Sequence, residues 1–456
     1  MNKRIMIFSI SGITLLVGLL VLFGLNSPKD LESAKTKSLE ANVLLANDDM
    51  MMVQDKDNVI YTFEATNMNA CTEGKVLLEY TGLLNKNLNV QDVTVVNCKT
   101  VEVAKTDVLD EWQDNGIFSK YYNLAYNKVK KMSLEEKINQ ILLVRYPDTN
   151  GIEILKNKQF GGYVFFARDF KDKSHDEVVS LMKNLQNVAK IPILTAVDEE
   201  GGVVVRVSSN PNLANEKFKA PSTLYKEGGF DRIKEDTINK SKFLNDLGLN
   251  LNLAPVVDVA DDSNAYMYNR TLQKDTALTS EYAKTVVSAS KGLGVSYTLK
   301  HFPGYGNNDD THVGSSTDNR TYDEIFSHDI PPFEAGIKAG AEAILVSHNT
   351  VSGIDPDNVA SLSPSMHNLL RNQLNFTGII ITDDLDMGAI TGTSEAAVKA
   401  ILAGNDLLIT TNYENDVRDI KNAINNGTLS EDAIERKAMR VIAWKYYKGL
   451  LFGDQK

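Results

Sequence analysis

Cysteine is scarce in this chain, with only Cys71 and Cys98 among 456 residues. No Cys-x-x-Cys occurs, which excludes a zinc ribbon or a thioredoxin-type centre. A Cys71–Cys98 bridge and two unrelated thiols are both open; a bridge would close a mid-sized loop, with a contribution of roughly 3 kcal/mol. Excess positive charge is also lacking: 48 Lys and Arg face 60 Asp and Glu, for a formal net charge of −12. That balance argues against a protein built to grip nucleic acid, and against attachment to anionic lipid through a basic patch. No Gly-x-Gly-x-x-Gly turn follows a strand-like run, which weakens a dinucleotide-binding reading. No second histidine pair stands at metal-ligand spacing, so neither a metal nor any other cofactor is expected.

What is present is ordinary globular material, 43% hydrophobic and 24% charged, long enough for a (β/α)8 barrel plus an appendage. The exception is the amino end. Lys3 and Arg4 precede an uncharged run from Ile5 to Leu25, long enough as a helix to cross a bilayer core. It ends without small residues suited to cleavage and without a cysteine to carry lipid. Acidic residues follow the run and basic ones precede it, so residues 1–28 read as a signal anchor. The expectation is a single-pass membrane protein with its barrel outside the cytoplasm; secretion after signal cleavage is the alternative.

Residues 29–57 are polar and read as a stalk. Residues 58–110 change character, with β-branched and aromatic runs at Val59–Phe63, Lys75–Tyr80 and Val93–Val96 split by Asn, Gly and Asp; these predict a small β-rich module. From 111 to 456 the chain alternates apolar strand-like runs with amphipathic stretches, and Ser133-Leu134-Glu135-Glu136 forms a capping box. The runs are Ile141–Val144, Gly162–Ala167, Ile193–Val197, Leu249–Val257, Val295–Leu299, Ala343–Val346, Gly378–Thr382 and Asp406–Ile409. About eight units over about 320 residues predict an α/β fold, a TIM (β/α)8 barrel.

Catalytic groups in such barrels sit just past the C-terminal ends of strands. At those junctions stand Asp198-Glu199-Glu200-Gly201-Gly202 with Arg206, Asn269-Arg270-Thr271, Lys300-His301-Phe302-Pro303-Gly304, Asp309-Asp310-Thr311-His312, Ser347-His348 and Thr382-Asp383-Asp384-Leu385-Asp386-Met387. Taken singly, several have bland readings. Asp383 suits a helix N-cap, Asp198 and Arg206 could form a structural ion pair, and His348 could be a satisfied core histidine. Gathered at one rim, they describe an active site.

This series resembles glycoside hydrolase family 3, in its single-barrel bacterial β-N-acetylglucosaminidase branch, from about residue 130 to the C-terminus. The resemblance implies Asp383 as nucleophile, His312 as acid/base and Asp310 as its partner. It implies that Asp198, Arg206, Arg270, Lys300 and His301 hold the sugar hydroxyls and the N-acetyl group. Tyr305 and Val203 depart from the family pattern, where histidine and arginine are common. A retaining mechanism places nucleophile and proton donor roughly 5 Å apart when both are carboxyls, and an imidazole, with an ordinary pKa of about 6.5, can fill the donor role. A GlcNAc-containing saccharide or muropeptide is the expected partner, with the membrane reached through the N-terminal helix. A family 3 β-glucosidase, a GlcNAc phosphorylase and a non-catalytic wall-binding barrel are the competing functions.

Overall fold

The computed structural model describes residues 35–451 except 47–49, 57–58, 65–70, 73, 86–89, 103–107, 109–111, 261, 307–313, 315 and 391. The chain divides into two compact units between Thr106 and Asp107.

The first unit is a five-stranded antiparallel sheet: β1 (Lys37–Ala46), β2 (Met50–Asp55), β3 (Ile60–Glu64), β4 (Lys75–Gly82) and β5 (Val93–Glu102), in the order β3-β2-β1-β4-β5. Met51, Val53, Phe63, Val76, Leu78 and Val95 form its core, and Cys71 is bridged to Cys98. The polar-stalk expectation is corrected here, since residues 37–46 and 50–55 are strands of this sheet. Composition concealed an alternation: Leu39, Ala41 and Val43 of β1 belong to the core or pack against it, while polar residues fall between them.

The second unit is the barrel. Its strands are β6 (Leu142–Arg145), β7 (Gly162–Phe165), β8 (Leu194–Val197), β9 (Leu251–Asn252), β10 (Ser296–Phe302), then β12 (Ala343–Val346), β15 (Ile379–Thr382) and β16 (Leu408–Thr410). Between β10 and β15 a small separate sheet contains β11 (Thr317–Asp318), β13 (Thr350–Val351) and β14 (Asp355–Val359). Every pairing around the barrel is parallel, in the order β15-β12-β10-β9-β8-β7-β6-β16. An Ile381–Leu407 bridge joins the two ends. There the Thr382 N–H donates to the Leu407 carbonyl at 3.1 Å, and the Thr382 hydroxyl accepts from the Ile409 N–H at 3.0 Å.

Residues of β7, β8, β12 and β15 are all buried, as expected of parallel strands covered by barrel side chains on one face and helices on the other. Helices return the chain between strands. Ser133, Ser174 and Thr321 each open one with a capping box, satisfying N–H groups that the first turn leaves unpaired.

The expected membrane helix at 1–28 lies outside the described residues. Among the described residues no helix is long and apolar enough to cross a membrane. The helical span Pro221–Asp246 is broken by a kink at Gly228 and Gly229, and both of its halves carry charged residues that a bilayer core excludes. The membrane placement, with the barrel outside the cytoplasm, is corrected on that ground.

Candidate active site

At the C-terminal ends of the barrel strands lies a cavity of about 630 Å³. It is lined by Asp198, Arg206, Arg270, Lys300, His301 and Asp383, six of the eight residues expected to act. Asp310 and His312 lie outside the described residues.

The loop after β8 is held by its own acids. Glu199, fully buried, accepts from the backbone N–H groups of Arg206 and Val207, each at 2.8 Å, and of Ser208 at 3.2 Å. Its backbone is pinned in turn by the Asn252 side chain of β9. Gly201 and Gly202 follow with φ of +105° and +69°, a region that disfavours any side chain. The loop therefore folds back to present Asp198, Glu200 and Arg206 to one space.

Glu200 is the electrostatic centre of that space. One oxygen lies 2.8 Å from Lys300 Nζ, and the Arg270 guanidinium grips the carboxylate at 2.6 and 3.0 Å. Burial alone would raise the Glu200 pKa, but Lys300 and Arg270 hold it far below the usual carboxylate range. Burial likewise works against charge on Lys300, yet Asp198 at 2.6 Å and Glu200 keep its pKa raised. Asp198 thus pairs with Lys300; no ion pair joins it to Arg206.

His301 is oriented from both sides. Its Nδ1 lies 2.8 Å from the carboxylate of Asp258, and its Nε2 is 3.3 Å from Arg270 Nη2. Asp258, 1% exposed, also accepts from the backbone N–H of Tyr305 at 2.8 Å. Tyr305 sets its ring edge-on to His301, with centroids 5.6 Å apart. An imidazole bonded this way has its tautomer and ring plane fixed before any ligand arrives.

Asp383 follows β15. Its burial would raise the pKa, but His348, His301, Lys300 and the Asp384 N–H outweigh it and hold the carboxyl below its ordinary value of 3.8. Asp383 is therefore an anion at neutral pH, the state a nucleophile requires. Asp384 behaves oppositely: burial first, then Asp383 and Asp386, push it up to about 6. One Asp384 oxygen accepts from the Asp386 N–H at 3.1 Å, a turn-forming role. His348 is a satisfied core histidine, hydrogen-bonded to Ser361 at 2.6 Å and to the Asp384 carbonyl at 2.9 Å.

Sequence reasoning did not single out Glu199, Glu200 or Asp258, nor Arg145, which also lines the cavity. The two glutamates stand inside a motif it quoted. Asp258 and Arg145 each directly follow a predicted strand run, so the strand-end rule itself could have found them.

Comparison with known proteins identifies the family. The model of the glycosyl hydrolase family 3 N terminal domain matches residues 133–444. A beta-hexosaminidase of Xylella fastidiosa (strain M23) is 31% identical over 245 residues, covering 53% of this chain and 72% of that protein. One from Xanthomonas campestris pv. campestris (strain B100) is 31% identical over 238 residues, covering 52% and 71%. Among solved structures, a family 3 beta-N-acetylglucosaminidase from Paenibacillus sp. str. FPU-7 superposes with a TM-score of 0.65 at 26% identity. That match covers 70% of this chain and 63% of the Paenibacillus chain, just under two thirds of its length. A family 3 glycosyl hydrolase from Mycobacterium smegmatis gives 0.61 at 26% identity, over 69% and 98%. A barrel with this rim of charges, matched by one family model through most of its length, is a glycoside hydrolase, and the chain belongs to glycosyl hydrolase family 3, in its β-hexosaminidase branch.

Proposed function

We propose that the protein is a retaining exo-β-N-acetylglucosaminidase that releases terminal β-linked GlcNAc from muropeptide or related cell-wall fragments. The observation that carries this reading is an ionised Asp383 in one cavity with the Asp198–Lys300–Glu200–Arg270 network and the oriented His301. The network supplies fixed donors and acceptors for sugar hydroxyls, and charge paired in advance costs little reorganisation when substrate binds.

In the reaction, an Asp383 oxygen attacks the anomeric carbon as the glycosidic bond breaks, forming a glycosyl ester. His312 gives its proton to the leaving oxygen and later takes one from the water that hydrolyses the ester; Asp310 orients it. Asp198, Arg206, Arg270, Lys300 and His301 hold the sugar. That the Paenibacillus relative is a β-N-acetylglucosaminidase supports GlcNAc as the glycone.

The test is release of p-nitrophenol from its β-GlcNAc and β-glucose glycosides by the wild type, Asp383→Asn and His312→Ala. GlcNAc-selective turnover that drops by at least about 10³-fold in Asp383→Asn is expected. A folded protein inert on both glycosides, or one as active without the Asp383 carboxylate, would overturn the proposal.

A further inference from the structure

The side chains of two cations of the cavity, Arg145 and Arg206, take part in none of the hydrogen bonds and ion pairs within the protein described so far. Arg145 closes β6, Arg206 lies beyond β8, and Phe166, just past β7, stands between them in the strand order. The Arg145 guanidinium carbon lies 4.2 Å from the Phe166 ring centroid, and that of Arg206 lies 5.8 Å from the same ring. All three residues line the cavity. Lys300, Arg270 and His301 each have a carboxylate partner. Arg145 and Arg206 have none among the described residues, and the Nε of each is buried without a hydrogen-bond partner.

A buried guanidinium N–H without an acceptor is costly and uncommon. An aromatic face against the guanidinium holds its plane and leaves the N–H edge free to meet a planar oxyanion. Asp384 is near enough for Arg145 to draw its pKa down somewhat, yet it stays raised and forms no hydrogen bond with Arg145. Both arginines thus line the cavity without a carboxylate to neutralise them among the described residues.

We infer that Arg145 and Arg206, spaced by Phe166, form an oxyanion-recognition element that takes a carboxylate or phosphate group beside the bound sugar. The inference rests on the glycosidase reading above and adds to it a specificity residue, Arg145. The oxyanion has two sources: a carboxylate carried by the saccharide, or inorganic phosphate as acceptor. In the second case a phosphate oxygen bonds to the anomeric carbon while the bond to Asp383 breaks. Hydrogen phosphate and the neutral glycosyl ester then become GlcNAc 1-phosphate, one negative charge, and the Asp383 carboxylate, the other.

The experiment compares kcat/KM for GlcNAc β-linked to N-acetylmuramic acid with kcat/KM for neutral chitobiose, using the wild type, Arg145→Gln and Arg145→Lys. It also measures p-nitrophenol release with and without inorganic phosphate. The acidic-to-neutral ratio should fall at least about tenfold in Arg145→Gln and be partly kept in Arg145→Lys. If phosphate is the oxyanion, the ratio holds but phosphate acceleration and GlcNAc 1-phosphate vanish in Arg145→Gln. A wild type with no acidic preference and no phosphate effect overturns the inference without any variant, as does a ratio and phosphate response unchanged in both variants. Failure of the wild type on every GlcNAc substrate would instead defeat the glycosidase reading. Calorimetric titration of the wild type with N-acetylmuramic acid against GlcNAc, and with phosphate, would then decide the inference: tighter binding of either anion supports it, and no anion preference overturns it.

Discussion

Asp258 illustrates how a residue can govern a site without facing the ligand. Its carboxylate accepts from the backbone N–H of Tyr305 and bonds His301 Nδ1, so it sets the imidazole plane and the following turn together. Asp258→Asn keeps the shape but offers one acceptor oxygen where two are used. The expected result is a fall in kcat/KM of up to about 100-fold with a cooperative, folded protein retained, measured by steady-state kinetics beside thermal unfolding. A KM that rises while kcat holds would place His301 in sugar binding alone. Single residues of this kind were only partly legible in the sequence. Asp198, Lys300, His301 and Asp383 stand in dense polar motifs at strand ends, so position and chemistry point the same way. Asp258 is a lone acid after an apolar run, and Arg145 a lone base after another. Their place directly after a strand-like run marks both for the rim, but a single charge there lacks the density of polar residues that makes the motifs stand out.

At the scale of elements, the eight barrel runs were legible because a strand buried on both faces must be apolar at consecutive positions. The first two strands of the amino-terminal sheet were not, since their polar alternate positions gave residues 37–55 the composition of a linker. The pairing of Cys71 with Cys98 could not be read either, because the distance between two thiols is a property of the sheet and not of their spacing. The bridge closes a separation of 27 residues, for which loop-closure entropy assigns roughly 3–4 kcal/mol. Cys71→Ser combined with Cys98→Ser should therefore lower the unfolding temperature of the β unit, as reductant should in the wild type. Calorimetry with and without dithiothreitol checks this, and superimposable traces would show that the sheet stands without its bridge.

For the molecule as a whole, the helix Glu431–Tyr447 places a charged residue in the deepest packing of the barrel unit. Lys445 is fully buried, its amine donates to Gln140 at 2.8 Å, and burial lowers its pKa from 10.5 to about 7. The sign of the consequence is fixed. Between pH 7 and the ordinary lysine value the unfolded chain binds a proton that the folded one does not, so this group makes stability rise with pH. Below pH 7 the folded protein bears the full cost of a buried cation. Lys445→Met, close in volume, should raise the unfolding temperature more at pH 6 than at pH 9. Equal shifts at both values would mean that the amine keeps its proton through a contact stronger than the one to Gln140.

The seam that completes the barrel has one more consequence. Where the last two strands meet, a threonine hydroxyl takes the Ile409 amide that a main-chain carbonyl would ordinarily receive, and the next residue in the chain is Asp383. Main-chain hydrogen bonds shut the ring at this seam, the hydroxyl adds a side-chain clasp to them, and the carboxylate proposed as nucleophile is mounted directly beside it. Thr382 then has two duties at once, helping to hold the circle closed and fixing the backbone from which Asp383 projects, so under the proposed reaction the shape of the whole barrel and the aim of its attacking group are adjusted at the same place.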